Sequence, residues 1–298
     1  MTMFDLLRSN PLFLCVSVSV LGLAVGSFLN VVIHRLPRMM ERDWNAEIVD
    51  MFKERGWDIP DALTNAGDAH KGGFNLVTPR SACPSCGHMI TPLENIPVLS
   101  YLWLRGRCSA CAAPISARYP VVELVTALVS AAIAWRFGFS LAMLAGLILA
   151  WSLIALAFID FDTQFLPDAI TLPLVWVGLG LNCLGAMTDL KSAVIGAMAG
   201  YLVLWLVYWV FKLVTGRIGM GYGDFKLLAA LGAFFGWQLL PLIVLLSSVV
   251  GAVIGIALII LARRGREVPM PFGPYLAGAG LVALFAGDML TRAYLDLL

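Results

Sequence analysis

The chain has 298 residues, 60% of them hydrophobic and 13% charged, with a mean hydropathy of +0.87. A soluble domain carries about 25% charged residues, so this composition excludes one and predicts a multi-span membrane protein. The net charge of +1 offers no basic surplus for binding nucleic acid.

The chain opens with MTMFDLLRSN, which lacks the basic start and small-residue cleavage site of a signal peptide. The first apolar run therefore predicts a retained span. Apolar runs predict spans near 11–33, 119–137, 140–160, 169–188, 192–213, 225–239, 241–262 and 273–291. A crossing needs about 20 residues. Glu123 interrupts the second run near its start, and the sixth, containing LLAALGAFFGW, has the length of a half-span. The expected fold is an all-α polytopic membrane protein of about eight transmembrane helices. A polar, turn-rich insert lies between the first and second spans. The boundaries that follow are 1–34 for the first span, 35–118 for the insert and 119–298 for the membrane core.

Charge sets the expected orientation. Residues Arg35 to Arg118 hold ten of the 20 basic residues, with acids from Glu41 to Asp68 nearly balancing them. Threading eight spans with this insert inside puts sixteen basic residues on the cytoplasmic face, including Lys212, Arg217, Lys226, Arg263, Arg264 and Arg266. Arg8, Arg136, Lys191 and Arg292 fall outside, which satisfies the positive-inside rule. The same threading brings the end of span three and the start of span six to the inner face.

Those two ends carry acids: Asp160, Asp162 and Asp168 in IDFDTQFLPD, and Asp224 in GMGYGDFKLL. A carboxylate at the centre of a membrane helix costs about 2.5–3.5 kcal/mol on insertion scales, so acids here need a function or access to water. Two aspartates held close can share one proton. One then activates a water while the other donates to a peptide carbonyl. Gly219, Gly221 and Gly223 suit close backbone approach and left-handed dihedrals. Against this stands helix capping, which also explains border aspartates and is the expected role of Asp168. Asp162 is expected to support structure.

Cys83-x2-Cys86 and Cys108-x2-Cys111 are separated by 21 residues. Four thiolates in turn-rich settings predict a closed, structural Zn2+ site, with disulfides as the alternative. His88 is a spare ligand. Cys15 and Cys183 fall inside spans and are expected to act as small hydrophobes. His34 and Arg35 end the first apolar run, where interfacial anchoring is the ordinary role. Glu123 is expected either to pair with an inner-face cation or to serve as a base, and Asn30 lies on the polar edge of the first span. The stretch 42–59 has a helical look and no assigned chemistry.

Five motifs together, GSFLNVVIHRLP, CPSC…CSAC, ISARYPVVE, IDFDTQFLPD and GMGYGDFKLLAALGA, resemble the bacterial type IV prepilin peptidases, a GxGD aspartyl protease family, as does PFGPYLAGAG. The resemblance covers nearly the whole chain. It implies a multi-pass enzyme of the bacterial inner membrane that cleaves the basic leader of prepilins and pseudopilins at the cytoplasmic face. It also implies methylation of the new N-terminal amine by S-adenosyl-L-methionine. The family's catalytic aspartates match Asp160 and Asp224, and only this match selects Asp160 over Asp162. Asn30 and Glu123 are candidates for the methyl-transfer site, since the chain has no glycine-rich Rossmann signature. The competing readings are a protease without methylation and a transporter relaying protons through Asp160 and Asp224.

Overall fold

The structure is a computed structural model describing residues 3–60, 63, 73–217, 219–261 and 270–296. Arg263, Arg264 and Arg266, which entered the charge argument, lie outside the described residues, as do Asp68 and Lys71. The helices are α1 (Met3–Ser9), α2 (Pro11–Glu54), α3 (Leu99–Trp103), α4 (Arg118–Phe137), α5 (Leu141–Thr163), α6 (Asp168–Cys183), α7 (Leu190–Thr215), α8 (Tyr222–Phe235), α9 (Leu240–Leu261) and α10 (Gly273–Leu295). Among the described residues there is no sheet, only two isolated antiparallel bridges. The chain forms two compact units, one of Met1–Gly22 with Thr126–Leu298 and one of Leu23–Val125.

Each of the eight apolar runs forms a helix. Five helical stretches are long and apolar enough to cross a membrane: Pro11–Glu54, Arg118–Phe137, Leu141–Thr163, Leu190–Thr215 and Trp237–Ile260. Asp168–Cys183 and Gly273–Gly287 are shorter apolar helices. The protein is a multi-pass membrane protein, and its surface agrees. Only 17% of the most apolar stretch of Trp237–Ile260 is buried inside the protein. The remainder is exposed or half-buried and mostly apolar, which water would penalise and lipid accepts.

One helix does not stop where its apolar run does. Helix α2 continues through Pro37 to Glu54, so the helical look of the polar stretch beyond residue 41 reflects a real extension of the first span. Arg35 therefore sits mid-helix. It is buried, and its guanidinium donates to the Asn75 and Pro79 carbonyls at 3.0 and 2.7 Å. It ties down a loop and is not an interfacial anchor.

The core of the first unit forms around α8. From Asp224 to Phe235 every residue except Lys226 is buried. Small residues make this possible: a Cβ on Gly232 would strike the Gly196 carbonyl of α7, and one on Gly200 would lie 2.5 Å from the Leu228 oxygen. Glycines let two backbones approach where apolar burial gives no drive, which is how helices associate in lipid. At the far end of α8, the Asn182 amide donates to the Ala233 and Phe234 carbonyls at 2.8 and 3.0 Å. Its oxygen accepts the Met187 and Thr188 N–H groups. One side chain thus satisfies both a helix end and the adjoining turn.

Candidate active site and cysteine centre

Four helix ends meet at one end of this unit: the last turn of α5 and the first turns of α6, α8 and α10. Asp160, in the last turn of α5, is only 4% exposed, and Asp224, in the first turn of α8, is 6% exposed. The Gly273 N–H, at the start of α10, donates to Asp160 Oδ2 at 2.9 Å. Asp224 stands three positions after the N-cap Gly221 and accepts that residue's N–H, the reach-back half of a capping box. The two carboxylates lie within each other's electrostatic field. Asp162, two residues on, is exposed. A helix turn separates the faces of residues two apart by about 200°, so burial distinguishes two acids that spacing alone leaves equivalent.

Leu166 wedges this junction. A Cβ on Gly223 would lie 2.6 Å from Leu166 Cβ, and one on Gly273 would lie 2.7 Å from Asp160 Oδ2 and 3.1 Å from Leu166. Close approach explains Gly223 and also Gly219, whose Cβ would meet the Phe211 ring at 2.9 Å. The left-handed dihedrals expected of the three glycines are not used: none of Gly219, Gly221 and Gly223 has positive φ.

Asp168 does not cap α6 with its side chain, since the N-cap is Pro167. Instead Lys226 Nζ donates to both Asp168 oxygens at 2.6 Å. This pair joins the first turns of α6 and α8, two residues past Asp224. A cavity of about 930 Å³, lined by Arg136, Thr188, Gln238, Leu239 and Arg292, opens at the opposite helix ends, away from both acids.

In the second unit, Asn30 and Glu123 are both buried. Asn30 donates its amide to the Tyr119 carbonyl at 3.1 Å, tying α2 to α4. Glu123 accepts the Val98 N–H at 2.8 Å and the Ser27 hydroxyl. Its hydrogen bonds come from neutral donors, where a cation was one expectation. Buried Asn30 and Glu123, with half-buried Ser27 bonded to Glu123, place polar groups between α2 and α4.

The cysteines form two matching knuckles. Cys83 N–H donates to the His88 carbonyl at 2.9 Å, and Cys108 N–H to Ala113 at 2.9 Å. Gly87 and Ala112, each four residues past the first cysteine, both adopt positive φ, +73° and +57°. Bridges Ala82–Met89 and Arg107–Pro114 close both loops at the same register. All four sulfurs lie within 4.8 Å of one another. Cys83–Cys111 is 3.8 Å and Cys86–Cys108 4.0 Å, far from a disulfide. Tetrahedral zinc at 2.3 Å from each sulfur needs sulfurs about 3.8 Å apart, so the residues fit that ion. Thiols this close resist ionising together. The Ser85 and Cys86 N–H groups hold Cys83 down to about 6, whereas Cys86, despite the His88 N–H, is pushed up to about 12 by Cys111 and its other thiol neighbours. A bound cation would relieve that conflict.

His88 does not join the four. It faces Glu94 at 3.3 Å. Glu94 also takes the Ser109 hydroxyl and the Thr91 N–H and hydroxyl, the last two at 2.8 Å. These donors, Ser109 first, hold Glu94 down to about 2. Glu94 clips the two knuckles together, a role its position in the sequence did not suggest.

Comparison with known proteins fits this pairing of a cysteine unit and an acid-bearing helix unit. Residues 20–137 match the Bacterial Peptidase A24 N-terminal domain, and residues 147–256 match the Type IV leader peptidase family. A protein of Aeromonas hydrophila named "Prepilin leader peptidase/N-methyltransferase" is 58% identical over 280 residues, 93% of this chain and 92% of that protein. This chain belongs to the type IV leader peptidase family. A Pseudomonas aeruginosa protein of the same name is 53% identical over 296 residues, 99% of this chain and 98% of that protein. A Burkholderia pseudomallei one is 51% identical over 268 residues, covering 90% and 84%. No solved structure matches. Peptidase and N-methyltransferase are thus the two activities of this leader peptidase, and the transporter reading falls away.

The residue that sequence reasoning missed in this leader peptidase is Gly273. It was visible within PFGPYLAGAG only as part of a likeness. Its reason is steric: any side chain there meets the Asp160 carboxylate. Gly273→Ala is expected to displace the Asp160 carboxylate and, with Asp160 as a reacting group, to lower the rate of leader cleavage about 100-fold, the cost that a displacement of about 1 Å can carry. The rate in isolated membranes, set against an unchanged amount of inserted protein, measures it.

Proposed function

We propose that this leader peptidase cleaves the basic leader of type IV prepilins and pseudopilins at the cytoplasmic face of the bacterial inner membrane and N-methylates the new terminus. The observation carrying the peptidase half is the pair of buried, mutually interacting carboxylates, Asp160 and Asp224, contributed by α5 and α8. With one proton between them, the ionised carboxylate takes a proton from water as it attacks the scissile carbonyl. The protonated one hydrogen-bonds the carbonyl oxygen. The proton gained from water then passes to the leaving amine. No covalent intermediate is needed. The threading supports the cytoplasmic face, because these helix ends share the side assigned to sixteen of the 20 basic residues. On this reading residues 35–118 are a cytoplasmic insert and 119–298 the protease core.

Cys83, Cys86, Cys108 and Cys111 hold one structural Zn2+. S-adenosyl-L-methionine supplies an electrophilic methyl group to the amine. Its site is assigned to the buried polar group of the second unit, where Asn30 and Glu123 offer oxygens suited to its ammonium and ribose hydroxyls. In that position Glu123 would accept the proton shed by the amine.

The test is mass spectrometry of a prepilin incubated with purified protein in vesicles, with and without S-adenosyl-L-methionine. Cleavage in both cases is expected, with 14 Da added about once per chain only when the donor is present. Glu123→Gln keeps an acceptor for the Val98 N–H but removes the base. It is expected to spare cleavage and reduce methylation. Cleavage with no methylation by the unaltered protein supports a protease alone.

A further inference from the structure

The stretch NIPVLSYLWLRGR, between the two cysteine knuckles, is apolar yet buries almost nothing. Helix α3 has no buried residue. Leu99, Leu102 and Trp103 are 64%, 65% and 88% exposed, and Leu93, just before, is 76% exposed. Four large side chains so placed would be an aggregation hazard in water.

The structure also sets their level along α4. Val98, the N-cap of α3, has φ +60°, an unfavourable conformation for a β-branched residue. Its N–H is held by Glu123 Oε2 at 2.8 Å. Glu123 is the sixth residue of α4, so it lies about 7–8 Å inside the start of a membrane-crossing helix. At that level Val121, Leu124 and Val125 of α4 are themselves exposed. Helix α3 therefore begins beside a lipid-facing turn. Two exposed arginines follow it, Arg105 and Arg107.

We propose that residues 93–103 are an interfacial anchor, with Leu93, Leu99, Leu102 and Trp103 in the boundary between headgroups and acyl chains. The occupant of this surface is the bilayer that α4 already spans. Apolar side chains and a tryptophan suit that boundary, and the arginines suit anionic headgroups. Glu123 then has a positioning role apart from methyl transfer: it pins the anchor at membrane depth.

The full chain, reconstituted in vesicles of phosphatidylethanolamine and phosphatidylglycerol with a phospholipid carrying a diazirine in its acyl chain, tests this. Photolysis is expected to label the peptide holding residues 93–103, as it labels α9, while the peptide holding Trp57 stays unlabelled. Leu102→Ser with Trp103→Ser removes the label without changing metal content. In parallel, hydroxyl radicals generated in water should oxidise Trp57 and spare Trp103. Label on α9 but none on residues 93–103, with Trp103 oxidised as readily as Trp57, overturns the proposal. So does protection of Trp103 that appears only when prepilin is added, which would make this a substrate surface.

Discussion

Replacing Asp160 or Asp224 with Asn is expected to abolish leader cleavage while leaving the protein inserted in the membrane. Asn keeps the shape of the carboxyl and preserves an acceptor for the Gly273 N–H that Asp160 holds at 2.9 Å. The one carboxyl left can be ionised or protonated, but it cannot supply a base and an acid in the same step. Each such role contributes about 10²–10⁴-fold, so the loss should be at least about 100-fold when the pair is broken. Asp162→Asn should change the rate little, because that side chain is exposed. Asp168→Asn should leave measurable activity, since its partner is Lys226 and not the other acids. Methylation provides the control. Asp224→Asn given pre-cleaved pilin and S-adenosyl-L-methionine should still methylate it, because a neutral amine attacking a methyl sulfonium uses neither aspartate. Wild-type cleavage by Asp160→Asn would sink the assignment, and loss of methylation in a folded Asp224→Asn protein would place both reactions at one centre.

Gently purified protein is expected to carry one zinc per chain, and exchanging Cys83, Cys86, Cys108 and Cys111 for Ser should remove it. The effect on local stability should be large. Closed cysteine sites in small domains draw an apparent 10–16 kcal/mol from the metal at neutral pH. Here the two knuckles are otherwise joined mainly by Glu94, through His88, Thr91 and Ser109. The four-Ser protein, or chelated wild type, should lose hydrogen-exchange protection across residues 80–115 first, while α5 to α8 keep theirs. Metal analysis and exchange mass spectrometry read both. Purified protein free of metal, with residues 80–115 still protected, would mean that the knuckles stand on their own hydrogen bonds.

The helices at the eight apolar runs, five of them long and apolar enough to cross, were legible because lipid demands long apolar runs, and such runs are visible without knowing what they touch. The cysteine centre was legible for a similar reason: two CxxC pairs carry their geometry in their spacing. What escaped notice depended on contacts across the chain. Gly273 matters because Asp160 lies against it, 113 residues away in sequence. Lys226 read as a membrane-border charge, and only the packing of α8 on α6 turns it toward Asp168. Helix α2 outran its apolar stretch because helix propensity in its polar continuation does not need burial, and Pro37 did not end it. His88 looked like a ligand because it follows Cys86 closely, but the bond to Glu94 turns it elsewhere. The choice between Asp160 and Asp162 needed either a relative or a burial measurement.

Helix α8 has 14 residues, which at 1.5 Å each is about 21 Å, against a hydrocarbon core of about 30 Å. A helix of that length cannot reach both borders, so with its Asn182-bound end placed at the outer border by the threading, its acid-bearing end would fall several ångströms short of the inner one. On the proposed chemistry, which consumes a water, hydrolysis would then take place below the headgroups, among these helix ends. A peptide that stays helical up to the membrane surface would present its scissile bond too high. The enzyme would therefore select, before any side chain is read, for segments that unwind easily at the border, and a substrate stiffened there by added alanines should be cut slowly however good its leader.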